Sequence, residues 1–188
     1  MQIRKTFHFH TAHRNEKLQD KCFNLHGHTY HVTCVFNVER DLVSPDISTL
    51  FSDFDRVEDW VKINWDHGMF IHERDPLLRF LLALDAEQEV PQKRYMMKRP
   101  TSVENICYEL FGVVLEMGFK LDQLNIQETP SSTVIYTRAD YDADIVEFNE
   151  EKKECYCTID PSTHVCIVCG RSEWMWKLAQ RRMKADEK

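Results

Sequence analysis

The sequence has no apolar run approaching the roughly 20 residues that a membrane-spanning helix needs. Its first residues, MQIRKTFHFH, lack the apolar segment of a secretory signal peptide, so we expect a cytosolic protein. It also lacks an excess of basic residues: the net charge of -7 at pH 7 makes nucleic acid an unfavourable partner. Since 11% of its 188 residues are aromatic and 43% hydrophobic, the chain should fold as one main globular domain.

Alternating apolar residues predict two strands near the N-terminus. The alternation is nearly complete over residues 3–9 and unbroken over residues 30–38. A first helix is predicted after Ser52 and Asp53, because the next apolar residues recur at helical spacing, at Phe54, Val57, Trp60, Val61 and Trp65.

A second helix is predicted between Thr101 and Gly118. Thr101 and Glu104 have the spacing of a capping box, an apolar stripe follows over residues 103–117, and Gly118 is a typical helix stop. The segments LNIQE and STVIYTR then predict two more strands joined by a turn. The order β-β-α-α-β-β predicts an α+β domain, an antiparallel four-stranded sheet with two helices on one face.

Two segments do not fit this order. Residues 71–99 combine the helix-like stretch PLLRFLLAL with a loop-like one, and we interpret them as an insertion between the two helices. Beyond about residue 150 the charged run EEKKE leads into a cysteine-rich stretch. We therefore expect a domain at residues 1–150 and a small appendage at residues 151–188.

The stretch CFNLHGH, residues 22–28, predicts a metal site. On a strand, His26 and His28 would point to the same face, close enough to bind one ion. A third imidazole would leave one position open, the arrangement of a catalytic zinc site. By spacing alone the third ligand is one of five histidines, His8, His10, His13, His31 or His67. The competing interpretation is a set of surface histidines with Gly27 in a turn.

Four other side chains are candidates for proton transfer or binding. Cys22 lies four residues before His26, and a thiol near Zn²⁺ gains thiolate character, although most free cysteines are small buried hydrophobes. Asp66 and His67 follow the first helix, where carboxylate and imidazole can orient one another or relay a proton. Glu128 ends a predicted strand, where a buried carboxylate would accept two parallel N–H bonds from a guanidine-like edge; the alternative is a solvated strand end.

Six short motifs over about residues 1–140 resemble, in order, those of the 6-pyruvoyl-tetrahydropterin synthase and 6-carboxy-tetrahydropterin synthase family. FHTAH and CFNLHGH resemble its zinc-ligand motifs, and WDHGM its aspartate–histidine pair. SDF and TSVEN resemble the starts of its two helices. QETPSS resembles the segment with the glutamate that binds the pterin in this family. The resemblance implies the zinc ligands His13, His26 and His28, the catalytic residues Cys22, Asp66 and His67, and the substrate contacts Glu128, Glu104 and Thr101 or Ser102.

The resemblance also implies the tunnelling fold (T-fold) and a homo-oligomer, a trimer or a hexamer, with active sites between neighbouring subunits. Three residues separate Cys22 from His26, as in the branch that makes 6-carboxy-5,6,7,8-tetrahydropterin for 7-deazaguanine (queuosine-type) biosynthesis. That branch is a zinc-dependent lyase, which releases triphosphate and acetaldehyde from 7,8-dihydroneopterin triphosphate. The alternatives are an enzyme making 6-pyruvoyl-tetrahydropterin and a catalytically silent, zinc-stabilised binding module.

The appendage predicts a second, structural zinc, bound by Cys155, Cys157, Cys166 and Cys169. CIVCG has the spacing of half a zinc knuckle, whereas the one-residue gap in the first cysteine pair is less usual, and His164 could replace either member of that pair. The alternative is a reduced, partly disordered tail. The family resemblance does not extend to this segment.

Overall fold

The alternating residues near the N-terminus form the centre of a sheet in the computed structural model, which describes residues 1–39, 49–88 and 91–153 and side chains up to residue 146. Within these ranges one mixed sheet has the strand order β4-β3-β1-β2-β5-β6. The strands are β1 (Gln2–His13), β2 (His26–Asn37), β3 (Gly68–His72), β4 (Arg94–Met97), β5 (Leu121–Thr129) and β6 (Ser132–Thr137). The helices in the same ranges are α1 (Asp55–Asn64), α2 (Leu77–Asp85), α3 (Val103–Glu116) and α4 (Arg138–Lys153).

The four predicted strands form the antiparallel part of the sheet, through the pairs β1–β2, β2–β5 and β5–β6. The prediction of a purely antiparallel four-stranded sheet is wrong, because β3 joins β1 in parallel and β4 joins β3 in parallel. These two strands have only five and four residues, too few for a periodic pattern to stand out. Residues 71–99 are therefore part of the folded domain: they hold the end of β3, the helix α2 and the strand β4.

The helix starts differ from the predicted ones. Ser52 and Asp53 lie within a 3₁₀ turn at Phe51–Phe54 that precedes α1, and Ser52 does not cap the helix. The capping box of Thr101 and Glu104 is also wrong: Ser102 is the N-cap of α3, and the Thr101 hydroxyl donates a hydrogen bond to the Arg14 carbonyl at 2.6 Å. After α3, Gly118 adopts a φ of 88°, as expected for a helix stop.

Two helices cover one face of the sheet. From α1 and α3, five buried side chains meet the inward-facing residues of β1 and β2: Val57, Val61, Ile106, Leu110 and Phe111. On that face Phe9 and Tyr30 stack with ring centroids 5.1 Å apart, and both are fully buried. The other face is polar, and its histidines His8, His10 and His31 are exposed.

The chain divides into two compact units, residues 1–142 and 143–188. The predicted domain boundary near residue 150 falls within α4, a helix that sequence analysis did not predict. The four cysteines of the predicted structural zinc site lie outside the described residues, and that site stays a prediction. No helix in the described ranges is long and apolar enough to cross a membrane.

Candidate active site

Three histidines converge on the covered face of the sheet. His13 ends β1 directly opposite His26 of β2, and His28 lies two residues further along the same strand. Because side chains alternate along a strand, all three point to the face that also carries Phe9 and Tyr30. One nitrogen from each ring lies within 4.8 Å of the other two. Of the five histidines that spacing left open as the third member, His13 is therefore the one that joins His26 and His28.

Hydrogen bonds orient two of these rings. His13 Nδ1 lies 2.6 Å from the Thr101 carbonyl, and His26 Nδ1 lies 2.7 Å from the Asn24 carbonyl. Since a carbonyl only accepts, Nδ1 carries the proton in both rings and Nε2 keeps its lone pair. Burial lowers the pKa of His13 and of His28, which favours the neutral imidazoles that bind metals.

The donor set fits a zinc ion. Among the described residues, His13 Nε2 is a buried nitrogen without a hydrogen-bond partner, and a buried polar atom of this kind needs a partner to offset its lost hydration. Three imidazole nitrogens on one face match the donor set of a catalytic Zn²⁺.

A carboxylate faces the three histidines. Glu128 Oε1 lies 3.5 Å from His13 Nε2 and 3.9 Å from His28 Nε2. It also accepts a hydrogen bond from the Tyr30 hydroxyl at 3.2 Å. Burial raises the pKa of Tyr30, which therefore remains a donor. Glu128 follows the buried Ile126 by two residues, and this alternation, together with a bulge at the end of β5, places it over the triad.

Cys22 lies on a short 3₁₀ turn, Lys21–Phe23, in the loop between β1 and β2. Its amide N–H donates to the Asp20 carboxylate at 2.8 Å, and its carbonyl accepts from the Asn15 amide at 2.9 Å. Partial burial, and then the Asp20 carboxylate, raise the pKa of the Cys22 thiol. The surroundings of Cys22 in this chain thus disfavour the thiolate that the sequence predicts.

Asp66 and His67 pair with each other but lie apart from the triad. His67 Nδ1 lies 2.8 Å from Asp66 Oδ2, and Asp66 Oδ1 accepts from the His10 amide at 2.7 Å. Although burial opposes it, these hydrogen bonds lower the pKa of Asp66. The His67 ring lies beside the ring of His10, on the exposed face of β1, and His67 has a φ of 54° in the left-handed region. The His67 ring therefore lies on the face of β1 opposite to the His13 ring, although His28 and His67 both line one cavity with His10 and Gly27.

A family model described as 6-pyruvoyl tetrahydropterin synthase matches residues 2–139. The chain belongs to this family.

Two curated relatives in the family are named 6-carboxy-5,6,7,8-tetrahydropterin synthase. The Rickettsia bellii protein is 29% identical and the Rickettsia conorii protein 27%, and each alignment covers 67% of this chain and 92% of the relative. Their names support a tetrahydropterin synthase type of function.

Solved structures share the fold. A 6-pyruvoyl tetrahydropterin synthase of Caenorhabditis elegans has a TM-score of 0.51 at 21% identity, covering 73% of this chain and 94% of that one. An uncharacterized protein of Wolinella succinogenes has a TM-score of 0.60 at 20% identity, covering 73% and 98%. The chain therefore has the T-fold in its α+β form, with a mixed sheet.

The remaining residues that the family resemblance assigned to the substrate occupy the start of α3. Thr101 is fully buried; its hydroxyl bonds to Arg14 and its carbonyl to His13. Ser102 is half-buried and Glu104 is exposed. Of the two hydroxyls left open by TSVEN, Ser102 is thus the better placed to reach a ligand. Sequence analysis missed the contact of Thr101 with His13, because a main-chain carbonyl leaves no residue-type signal.

Proposed function

We propose that the chain is a zinc-dependent 6-carboxy-5,6,7,8-tetrahydropterin synthase that acts on 7,8-dihydroneopterin triphosphate in 7-deazaguanine biosynthesis. The observation that supports this most is the convergence of His13, His26 and His28 on one face, with the Glu128 carboxylate beside them. The carboxy branch is supported by the names of the Rickettsia relatives and by the three residues between Cys22 and His26.

The triad and Glu128 would bind the two ends of the substrate, its side chain and its pterin ring. A Zn²⁺ on His13, His26 and His28 would supply Lewis acidity to the hydroxyls of the substrate side chain. Glu128 would accept two N–H bonds from the amino-pyrimidinone edge of the pterin, and the Tyr30 hydroxyl would keep its carboxylate in place.

Cys22 would act as the base. Its turn lies in the loop that connects His13 at the end of β1 to His26 at the start of β2. As a thiolate it would take the proton from the side-chain carbon next to the ring. Because the pKa of Cys22 is raised within one chain, this role depends on positive charge brought to it, from the metal or from an imidazolium.

The pair of Asp66 and His67 would come from a second subunit. In one chain it lies on the face opposite to the triad, so a complete site with both needs a neighbouring copy. This favours a homo-oligomer, a trimer or hexamer, with sites between subunits. Assembly through sheet edges would also protect the edge strand β6 from unwanted pairing.

Turnover of 7,8-dihydroneopterin triphosphate by the zinc-loaded protein tests the proposal, and the product mass distinguishes the branches. We expect 6-carboxy-5,6,7,8-tetrahydropterin together with acetaldehyde and triphosphate. A 6-pyruvoyl product that retains the side-chain carbons would move the chain to the other branch. No turnover despite bound zinc would favour the silent binding module.

A further inference from the structure

A buried ion pair and a buried hydrogen bond join the end of β1 to the corner between β3 and α2. Arg14 Nε lies 2.9 Å from Asp75 Oδ2, an approach of opposite charges without hydrogen-bond geometry, and His72 Nδ1 lies 2.5 Å from Glu16 Oε1. The Asp75 side chain is 1% exposed and that of His72 4%. Removing one partner of such a buried contact is strongly destabilising, because the other group is left buried without compensation. Residues 14 and 16 are therefore fixed to residues 72–75, which belong to the segment interpreted from sequence as an insertion.

The same stretch after β1 reaches the turn of Cys22. The Asn15 amide donates to the Cys22 carbonyl at 2.9 Å. The Arg14 guanidinium lies 4.5 Å from the centroid of the Phe23 ring, in a cation–π contact. The Arg14 side chain thus packs on Phe23, the residue after Cys22, while its positive charge is paired with Asp75. The planar guanidinium can make both contacts at once.

A purely structural role explains only part of this arrangement. The other carboxylate oxygen of Asp75 accepts from the Leu77 amide at 2.8 Å and so caps the first turn of α2. An uncharged acceptor would serve that cap equally well. The capping role does not explain why a nearly inaccessible carboxylate faces Arg14, whose guanidinium in turn packs on Phe23.

We propose that Asp75 is a positioning residue for Cys22 and acts through Arg14 and Phe23. Asp75 fixes the guanidinium, the guanidinium fixes the Phe23 ring, and the turn Lys21–Phe23 then presents the thiol in one orientation. The segment 71–99 thereby contributes to the site. The catalytic consequence rests on the proposed function of Cys22 as the base, whereas the positioning of the thiol does not.

Asp75→Asn in the full-length, zinc-loaded protein tests this inference. Asparagine keeps an acceptor for the Leu77 amide and removes the charge that holds Arg14. We expect kcat to fall by about 10-fold to 100-fold, as for a small misplacement of a reacting group, while KM and zinc content stay the same. Without substrate, iodoacetamide should alkylate Cys22 several-fold faster, because the half-buried thiol becomes more accessible. Peptide mass mapping assigns the alkylation to Cys22.

Asp85→Asn is the matched control. Asp85 lies at the other end of α2 and pairs with Arg94, so this variant loses the same kind of contact in the same segment. It should leave the alkylation rate of Cys22 unchanged. Equal effects of Asp75→Asn and Asp85→Asn on Cys22, or no effect of Asp75→Asn on its alkylation, would overturn the proposal.

Phe23→Leu provides a second test that does not disturb a buried charge. Phe23 is 44% exposed, so the variant should fold even if Asp75→Asn does not. Faster alkylation of Cys22 is again expected, and an unchanged rate would reject the positioning role. Absence of turnover in the unmodified protein would count against the proposed enzyme function instead, since alkylation is measured without substrate.

Discussion

Replacing Glu128 with glutamine should weaken binding of the pterin ring and leave the histidine triad able to hold its metal. The two side chains have the same shape, so the Tyr30 hydroxyl can still donate to the side-chain oxygen. What changes is the second oxygen, which becomes an NH₂ donor. The amino-pyrimidinone edge presents two N–H donors, and one of them would then face another donor.

The size of this effect follows from the setting of Glu128. Its side chain is 24% exposed, so a bound pterin would shield the hydrogen bonds from most of the solvent. A hydrogen bond to a charged group contributes about 1.5–3 kcal/mol. Losing one such bond and the charge on the other should cost about 2–4 kcal/mol, or roughly 30-fold to 700-fold in the dissociation constant.

Equilibrium titration with 7,8-dihydroneopterin measures this loss, because that ligand has no triphosphate to eliminate. Zinc content is measured on the same samples. Glu116→Gln is the matched control: Glu116 is exposed at the end of α3, and its change of charge should not affect binding. An unchanged dissociation constant for Glu128→Gln would refute the reasoning. Loss of zinc from that variant would instead make Glu128, 3.5 Å from His13 Nε2, a metal ligand.

Four further predictions concern the metal, its displacement by protons, the base and the shared site. His28→Ala should lose most bound zinc and turnover, because two imidazoles cannot hold a three-ligand site; full zinc occupancy by elemental analysis would contradict this. Since burial lowers the pKa of His28, protons should displace zinc from the unmodified protein only below the ordinary histidine pKa of about 6.5. Cys22→Ala should keep its zinc and lose turnover by about 100-fold or more; zinc leaving with the thiol would make Cys22 a ligand. After subunit exchange, an equal mixture of inactive His28→Ala and His67→Ala proteins should recover about a quarter of the unmodified turnover, because each shared site draws its two halves from different copies. A mixture that stays inactive would argue for a site within one chain.

Strand alternation is what made the site predictable. A period of two puts His26 and His28 on one face without any knowledge of the partner strand. The third histidine depends on the register of β1 against β2, which sets His13 opposite His26 and His8 opposite His31. Register depends on long-range pairing, so spacing alone could not choose among the five candidate histidines. Only the family motif selected His13.

The missed elements have two different causes. The strands β3 and β4 are short and form parallel pairs with distant partners, so their local sequence is a weak signal. The helix α4 does have a local signal, since Thr137 and Asp140 have capping-box spacing and exchange hydrogen bonds at its start. Thr101 is the opposite case. Its spacing to Glu104 fits a capping box, but its hydroxyl donates instead to the Arg14 carbonyl, a tertiary contact.

The position of His67 explains why a single chain would be an incomplete enzyme under the proposed function. Its amide donates to the His10 carbonyl at 2.7 Å, and Asp66 accepts from the His10 amide, so both residues are tied to one residue of β1. The His10 side chain points to the exposed face, whereas His13, three residues later, points to the covered one. The His67 ring, which lies beside the His10 ring, is therefore on the opposite face of β1 from the His13 ring. Under the proposed function, proton transfer between His67 and Cys22 would therefore require a second subunit, and a substitution that only separates subunits should abolish turnover and leave zinc binding intact.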